Sequence, residues 1–465
     1  MSRSFDAIIV GAGQAGPALA GRLTAAGQTV AIIERHLVGG TCVNTGCKPT
    51  KTLVASAYAA HLARRGNEYG VRYAIDPGPV QFELPTAAAR ARKVIQDSRK
   101  GNEDWLASMP GLTLIRGHAR FTGPRQIEVN GETLEAPQVF LNVGGRARVP
   151  EFPGIDDVDY LTNSTIIPLE TLPEHLIVVG GSYIGLEFAQ MYRRFGSKVT
   201  IVEMGPRLIG KEDEDVSAEI RSFLEAEGIE VRTNACCITL GKRGNNVTVG
   251  VDCTEGAPMV EGSHVLLAVG RILNTDDLGL DKAGVAIDDR GCIQVDDHLK
   301  TTAEGVWAMG DCNGKGAFTH TAWNDYEIVA ANLLDGADRK VSDRILGYGL
   351  YVDPPLGRVG LTEAQARQSG RPLLVAKRPM TRVGRAVEKG ETWGFMSMVA
   401  DAETRKVLGA AVLGTGGDEV IHGVLDMMNA GATIDTYQWA VPIHPTVSEL
   451  IPTLIGSLAP AESKG

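Results

Sequence analysis

The feature that most constrains this chain is that it contains one unit twice. In the first copy the apolar run Ala7–Val10 leads into Gly11-Ala12-Gly13-Gln14-Ala15-Gly16, an Ala/Leu-rich helical pattern, and a second apolar run, Thr29–Ile33, closed by Glu34. In the second, Leu176–Val179 leads into Gly180-Gly181-Ser182-Tyr183-Ile184-Gly185, a helical pattern reaching Phe195, and the run Lys198–Val202, closed by Glu203. Gly11 pairs with Gly180, Gly16 with Gly185 and Glu34 with Glu203, all at one offset of 169 residues. Strand, glycine turn, helix, strand and closing acid is the order of a dinucleotide-binding unit. The turn brings a pyrophosphate to a helix N-terminus, whose free N–H groups and dipole favour anions. The acid accepts hydrogen bonds from ribose hydroxyls. One glycine-rich turn is a weak signal; two in the same context, each with its acid, are a strong one. Ser182 replaces the second glycine of its loop, and its Cβ is expected to narrow the approach to the pyrophosphate.

Two dinucleotide sites in one chain imply that two dinucleotides meet, and the usual reason is hydride transfer from a nicotinamide to a flavin. Composition agrees where it speaks. Glycine accounts for 56 of 465 residues, well above a usual share of about 7%. The net charge of −10, without basic blocks, argues against nucleic acid and anionic membranes as partners. No apolar run approaches the ~18 residues of a membrane span. The first strand begins almost at the N-terminus, leaving no room for a signal peptide, and seven cysteines are too few for a disulfide-stapled secreted fold. The expectation is a cytoplasmic protein.

The segment Gly39-Gly40-Thr41-Cys42-Val43-Asn44-Thr45-Gly46-Cys47-Lys48-Pro49-Thr50-Lys51 directly follows the first unit. A zinc site would need a second ligand pair at similar spacing, and none lies nearby, so no metal centre is expected. Pro49 and the helical pattern from Thr50 to Arg64 put Cys47 at a helix N-terminus, a position that favours the thiolate. Of the other cysteines, Cys236 and Cys237 fall in a strand-like run, 233–240, where one side chain should face the core and the other the opposite face. Cys253, Cys292 and Cys312 are isolated, and all five read as structural.

This segment strongly resembles the redox-active disulfide motif of the FAD-dependent pyridine nucleotide–disulfide oxidoreductases, and the resemblance runs along nearly the whole chain. Asn142-Val143-Gly144-Gly145-Arg146 is similar to the family's first crossover, with Asn and Val in place of Ala and Thr. Ala268-Val269-Gly270-Arg271 is similar to the second. Val306-Trp307-Ala308-Met309-Gly310-Asp311 resembles the second FAD fingerprint, and Ile443-His444-Pro445-Thr446-Val447-Ser448-Glu449 the signature that carries the catalytic base.

The resemblance implies an α/β fold of two Rossmann-like dinucleotide-binding domains and a C-terminal α+β dimerisation domain. The expected boundaries are 1–150 and 271–345 for FAD, 151–270 for NAD(P), and 346–465 for the interface. It assigns FAD to Gly11, Gly13, Gly16, Glu34, Gly40, Thr41, Lys51, Gly144, Asp311, Ala317, Thr319 and His320. The nicotinamide dinucleotide goes to Gly180, Gly181, Ser182, Tyr183, Ile184, Gly185, Glu203 and Gly270, with Tyr183 as an aromatic gate. Glu203 favours NADH over NADPH, with Arg207 as the residue that could still reach a 2′-phosphate. Cys47 becomes the flavin-proximal sulfur and Cys42 the interchange thiol. Lys51 and Glu187 pair beside the flavin, and His444, oriented by Glu449, serves the partner subunit of a homodimer.

On substrate, no cysteine follows Cys312, which disfavours mercury reduction through a C-terminal cysteine pair. Pro442 stands where dihydrolipoamide dehydrogenases usually carry a second histidine. The overall texture is similar to the mercuric-reductase-like group that includes the reactive-chlorine-resistance flavoprotein, close to dihydrolipoamide dehydrogenase and glutathione reductase. The expected reaction is NAD(P)H-dependent reduction of a disulfide or a soft metal ion, with dihydrolipoamide dehydrogenase as the alternative.

Overall fold

The computed structural model describes residues 2–72, 80–252 and 256–462. The first repeat unit lies in a five-stranded parallel sheet ordered Val306–Ala308, Gln138–Leu141, Ala7–Val10, Val30–Glu34, Leu112–Arg116. Every residue of Ala7–Val10 and Val30–Glu34 is buried, as expected of a parallel sheet covered on both faces. Strand alternation splits them cleanly. Ile8, Val10, Ala31 and Ile33 enter one core, while Ala7, Ile9, Val30 and Ile32 enter another, against the helices Ala15–Ala25 and Thr319–Leu334.

The second unit repeats this plan in a parallel sheet ordered Tyr160–Leu161, His264–Leu267, His175–Val179, Lys198–Val202, Glu230–Arg232. In each sheet the strand entering the glycine turn lies between its sequence neighbour and a strand from later in the chain. The crevice at the C-terminal end of that strand is where open α/β sheets bind ligands. A short antiparallel pair, Gly145–Ala147 with Arg271–Leu273, links the two passages of chain between the sheets. The C-terminal part is a six-stranded sheet ordered Gly347–Leu350, Leu356–Gly360, Val407–Leu413, Phe395–Asp401, Leu373–Pro379, Ala459–Pro460. It packs with the helices Gly417–Asn429 and Leu450–Gly456.

The structure departs from the sequence reading at the adjacent cysteines. The strand there is Cys236–Arg243, and Cys236 and Cys237 are both exposed. A register shift between Cys236 and Thr239, with Cys237 at φ +54°, breaks the alternation that would have turned one of them inward. Cys292 and Cys312 are buried, and Cys253 lies outside the described residues. Among the described residues no helix is long and apolar enough to cross a membrane.

Candidate active site

The two glycine loops are built alike. Gly11 has φ +104°, and a Cβ there would lie 2.3 Å from the Asn142 carbonyl oxygen; Gly180 has φ +112°, and its Cβ would lie 2.4 Å from that of Ala268. Both positions therefore require glycine, for backbone conformation and for space. The closing acids match too. Glu34 accepts the N–H groups of Ala12 at 2.9 Å and His36 at 2.7 Å. Glu203 accepts those of Gly181 and Gly205, each at 2.6 Å. The carboxylates thus fasten the loop they close, a role the sequence pattern did not suggest. Ser182 is exposed. At its counterpart, Gly13, a Cβ would lie 3.2 Å from the Asn142 side-chain amide. The second copy has Ala268 at that crossover, so Ser182 does not meet there the side-chain amide that stands beside Gly13.

The thiols sit where two helices begin. Cys42 is on the short helix Gly40–Asn44, and Cys47 opens the helix Cys47–Arg64. Both are free. Cys47 Sγ is 3.4 Å from Oγ1 of Thr319, the first residue of Thr319–Leu334. A hydrogen bond from Cys42, helped by the Thr319 hydroxyl and the Lys51 charge, holds the Cys47 thiol below its ordinary range against the effect of burial. That same hydrogen bond, together with burial, pushes Cys42 up. The opposite directions favour the thiolate on Cys47 and the proton on Cys42.

Lys51 lies one helical turn beyond Cys47 and donates to both oxygens of Glu187, at 3.0 and 2.8 Å. Glu187, on the helix Tyr183–Phe195, is 6% exposed and also accepts the Tyr351 N–H at 3.1 Å. The Lys51 ammonium stands 4.5 Å from the Tyr351 ring centre. This ion pair joins the helix after the first unit to the helix of the second.

The region between Gly40 and Asp311 fits the flavin dinucleotide. Arg271 donates to the Thr41 hydroxyl at 3.4 Å and lies 3.5 Å from the Asp311 carboxylate. Its Nε is buried without a partner, and burial pushes the Asp311 pKa up. An orphaned donor and a poorly compensated carboxylate suit a ligand that brings hydroxyls and phosphates. A Cβ built on Gly144 or Gly270 would meet nothing within 4 Å, so both crossovers border open space. Ala317 lies just before the helix N-terminus formed by Thr319 and His320. His320 Nε2 is 2.7 Å from the Gly347 carbonyl oxygen. In the second unit Tyr183 and Ile184 begin the helix over the loop, and the side chain of Gly181's partner Glu203 closes its far end.

His444 is not brought to its own chain's cysteines by any hydrogen bond. Its Nδ1 is 2.8 Å from Glu449 Oε2, and its side chain is otherwise 79% exposed. Trp439, Val441 and Ile443 beside it are also exposed, at 82%, 96% and 79%.

Sequence reasoning missed the residues that fix the cysteine segment. Asn44 donates to the carbonyls of Val38 at 3.0 Å and Gly40 at 2.9 Å, and accepts from Arg99 Nε at 2.9 Å. Asn163 donates to the Thr45 carbonyl at 3.0 Å. Asn44 stands inside the motif and could have been weighed; Arg99 and Asn163 carry no local signal.

A two-loop, dithiol-bearing site of this kind defines a class, and the comparisons agree. Residues 5–325 match the pyridine nucleotide-disulphide oxidoreductase family, and residues 348–455 match the dimerisation domain of the same family. The chain belongs to that family, whose members are FAD-dependent oxidoreductases using NAD(P)H. It is 36% identical over 453 residues to RclA of Escherichia coli strain K12, covering 96% of this chain and 97% of that protein. Its identity to a dihydrolipoyl dehydrogenase of Thermus scotoductus is 34% over 451 residues, covering 96% of each. To a mercuric reductase of Bacillus cereus it is 32% over 445 residues, covering 96% of this chain and 70% of the relative. The solved Cu(II) complex of the HOCl-induced flavoprotein disulfide reductase RclA from Escherichia coli superimposes with a TM-score of 0.88 at 34% identity. The match covers 98% of this chain and 99% of that one.

Proposed function

We propose that this protein uses Cys42 and Cys47 to deliver electrons from NADH to a disulfide or soft metal-ion substrate. The observation that carries the reading is the placement of two free thiols at successive helix starts, with Cys47 Sγ 3.4 Å from the Thr319 hydroxyl and the Lys51–Glu187 ion pair one helical turn further on. The Cys47 pKa is lowered by its hydrogen bond with Cys42, and the Cys42 pKa is raised by the same bond and by burial. Held at the two glycine loops, the nicotinamide and flavin dinucleotides would supply the hydride and electron-relay chemistry that reduces the cysteine pair. Gly11, Gly13, Gly16, Gly40, Thr41, Gly144 and Asp311 would hold the FAD. Gly180, Gly185 and Glu203 would hold the nicotinamide dinucleotide, with Tyr183 covering its reactive end. Lys51, fixed by Glu187, presents positive charge where negative charge develops.

With a disulfide substrate, Cys42 gives up its proton and attacks one sulfur, forming a mixed disulfide and releasing the first thiol. The Cys47 thiolate then attacks Cys42, closing the Cys42–Cys47 disulfide and releasing the second half as a thiolate, which takes its proton from solvent. The raised pKa of Cys42 makes a base necessary. His444, oriented by Glu449, would provide it from the other subunit of a homodimer, and the exposed Trp439, Val441 and Ile443 would then be covered. A cytoplasmic setting suits a dithiol that must be reduced to act. For the nucleotide, Glu203 favours NADH, since a carboxylate repels a 2′-phosphate. Arg207 donates to the Gly210 and Glu212 carbonyls, each at 3.2 Å, and is thereby held to its own loop.

A panel on the FAD-loaded protein tests the reading, with NADH and NADPH offered against glutathione disulfide, lipoamide, Cu(II) and Hg(II). Turnover of a disulfide or soft metal ion that vanishes in Cys42→Ser supports it, and equal turnover in that variant refutes it. Turnover confined to lipoamide would favour the dihydrolipoamide dehydrogenase reading, which Pro442 weakens.

A further inference from the structure

Tyr183 occupies the place in the second glycine loop that Gln14 holds in the first. Gln14 ties its loop to the Gly39 carbonyl at 2.9 Å. Tyr183 turns instead into a corner of aromatic rings from two other parts of the fold. It meets Tyr348 edge-on, with ring centres 5.7 Å apart and planes at 90°, and Phe318 edge-on at 6.4 Å and 85°. The two walls of the corner stack on each other at 5.5 Å and 10°, and His320 stacks on Phe318 at 5.4 Å. Edge-to-face and stacked pairs are the favoured geometries for aromatic rings.

The corner is held by a buried ion pair that plays no part in the thiol chemistry. The Tyr348 hydroxyl donates to Glu212 Oε1 at 2.5 Å, and Arg358 Nε donates to Glu212 Oε2 at 3.0 Å. The side chains of Glu212 and Arg358 are 0% and 2% exposed. Tyr348 and Arg358 are direct cross-strand partners in the C-terminal sheet, whereas Glu212 follows the second unit. Arg358 also reaches Asp213 at 3.3 Å, and Asp213 in turn accepts the N–H groups of Glu363 and Ala364 at 3.0 Å. A buried charge is tolerated when all its valences are used, and here one carboxylate oxygen serves the arginine while the other fixes the phenol.

We infer that Tyr348, anchored by Glu212 and Arg358, is a latch that holds Tyr183 in its closed position and sets how readily the nicotinamide site opens. The inference rests on the reading of Tyr183 as the cover of that site. Tyr348, Glu212 and Arg358 are positioning residues, since they act through Tyr183. A latch that favours the closed state lowers apparent affinity by the fraction of molecules it keeps closed. Weakening it must therefore tighten nucleotide binding.

The experiment is a double-mutant cycle read by titration calorimetry of NAD⁺ into the FAD-loaded protein. Tyr348→Phe keeps the ring, the stack and the Glu212–Arg358 pair, and removes only the anchoring hydroxyl. It should lower the NAD⁺ Kd about three- to tenfold, the scale of one hydrogen bond, and lower the NADH KM to match. Tyr348→Leu, which also removes the wall, should go further in the same direction. In a Tyr183→Ala background, Tyr348→Phe should change nothing. The latch is overturned if Tyr183→Ala shifts the Kd while Tyr348→Phe does not, or if Tyr348→Phe acts equally with and without Tyr183. If Tyr183→Ala itself leaves the Kd unchanged, the reading of Tyr183 as a cover fails, and the latch fails with it.

Discussion

The two dinucleotide units share a plan down to individual hydrogen bonds, so their differences are informative. Ala12 and Gly181 donate to their acids at equivalent places, as do His36 and Gly205. The first unit then closes itself. Gln14 binds the Gly39 carbonyl, the Gly39 N–H binds the Ala12 carbonyl at 2.8 Å, and Asn142 lays its amide 3.4 Å from the Gly11 carbonyl. The second keeps one such tie, Ile209 N–H to the Gly181 carbonyl at 2.9 Å. It has Ala268 in place of the amide and a tyrosine in place of the glutamine. On the proposed assignment of FAD to the first loop and the nicotinamide dinucleotide to the second, the extra ties suit a ligand that is kept and their loss one that is exchanged at every turnover.

The largest effect should come from the element that serves both units and belongs to neither. Cys42→Ser should lower disulfide turnover by at least about a thousandfold, the scale of losing a covalent nucleophile, while FAD stays bound and NADH still bleaches it. Cys47→Ser should lose turnover as well, together with the long-wavelength absorbance that a thiolate lends to an oxidised flavin. Absorbance spectra during NADH titration distinguish the two variants. Next comes the base. His444→Ala should reduce turnover by roughly 10²–10⁴-fold with nucleotide binding unaltered, and subunits carrying His444→Ala mixed with Cys42→Ser subunits should recover part of the activity. A fully active monomer by sedimentation would remove the cross-subunit base.

A cleaner break of the comparison uses equivalent glycines. Gly11→Ala and Gly180→Ala each place a Cβ against a carbonyl at a positive φ, a strain of order 1–3 kcal/mol, or roughly 5–150-fold in ligand affinity. The first should release FAD during purification. The second should purify yellow and accept electrons from dithionite, yet be reduced slowly by NADH. Loss of FAD from both would mean that the units do not divide the labour in this way.

These contrasts show what could be read from the chain and what could not. The repeat was legible because its chemistry is local: a turn, a helix start and an acid at fixed spacing, twice. The CxxxxC segment and Lys51 were legible for the same reason, all lying within two successive helices, Gly40–Asn44 and Cys47–Arg64. Residues that act on partners far along the chain were not. Arg99 on Asn44, Tyr348 on Glu212, and Arg358 on Glu212 give no periodic trace, because tertiary packing alone brings them together. Cys236 and Cys237 escape strict strand alternation because a register shift and a single residue in the left-handed region leave both exposed, and a bulge of this kind has no sequence signature here.

The smallest expected effect isolates the place where the first loop has glycine and the second serine. Gly13 tolerates no Cβ comfortably because the Asn142 amide stands 3.2 Å from where it would be, whereas Ser182 has Ala268 at the corresponding crossover. Gly13→Ser should therefore weaken FAD retention by less than about tenfold, since a flexible amide can shift by a few tenths of an ångström at a cost near 1 kcal/mol. Asn142→Ala, which gives the first loop the crossover of the second, should restore it. Ser182→Gly should alter NAD⁺ affinity by no more than about threefold, because an exposed side chain is removed while chain entropy is added. FAD dissociation followed by flavin fluorescence reads the first pair, and calorimetry the third variant. If Asn142→Ala fails to rescue Gly13→Ser, the amide does not decide which residue the loop accepts, and the glycine is required by the ligand itself.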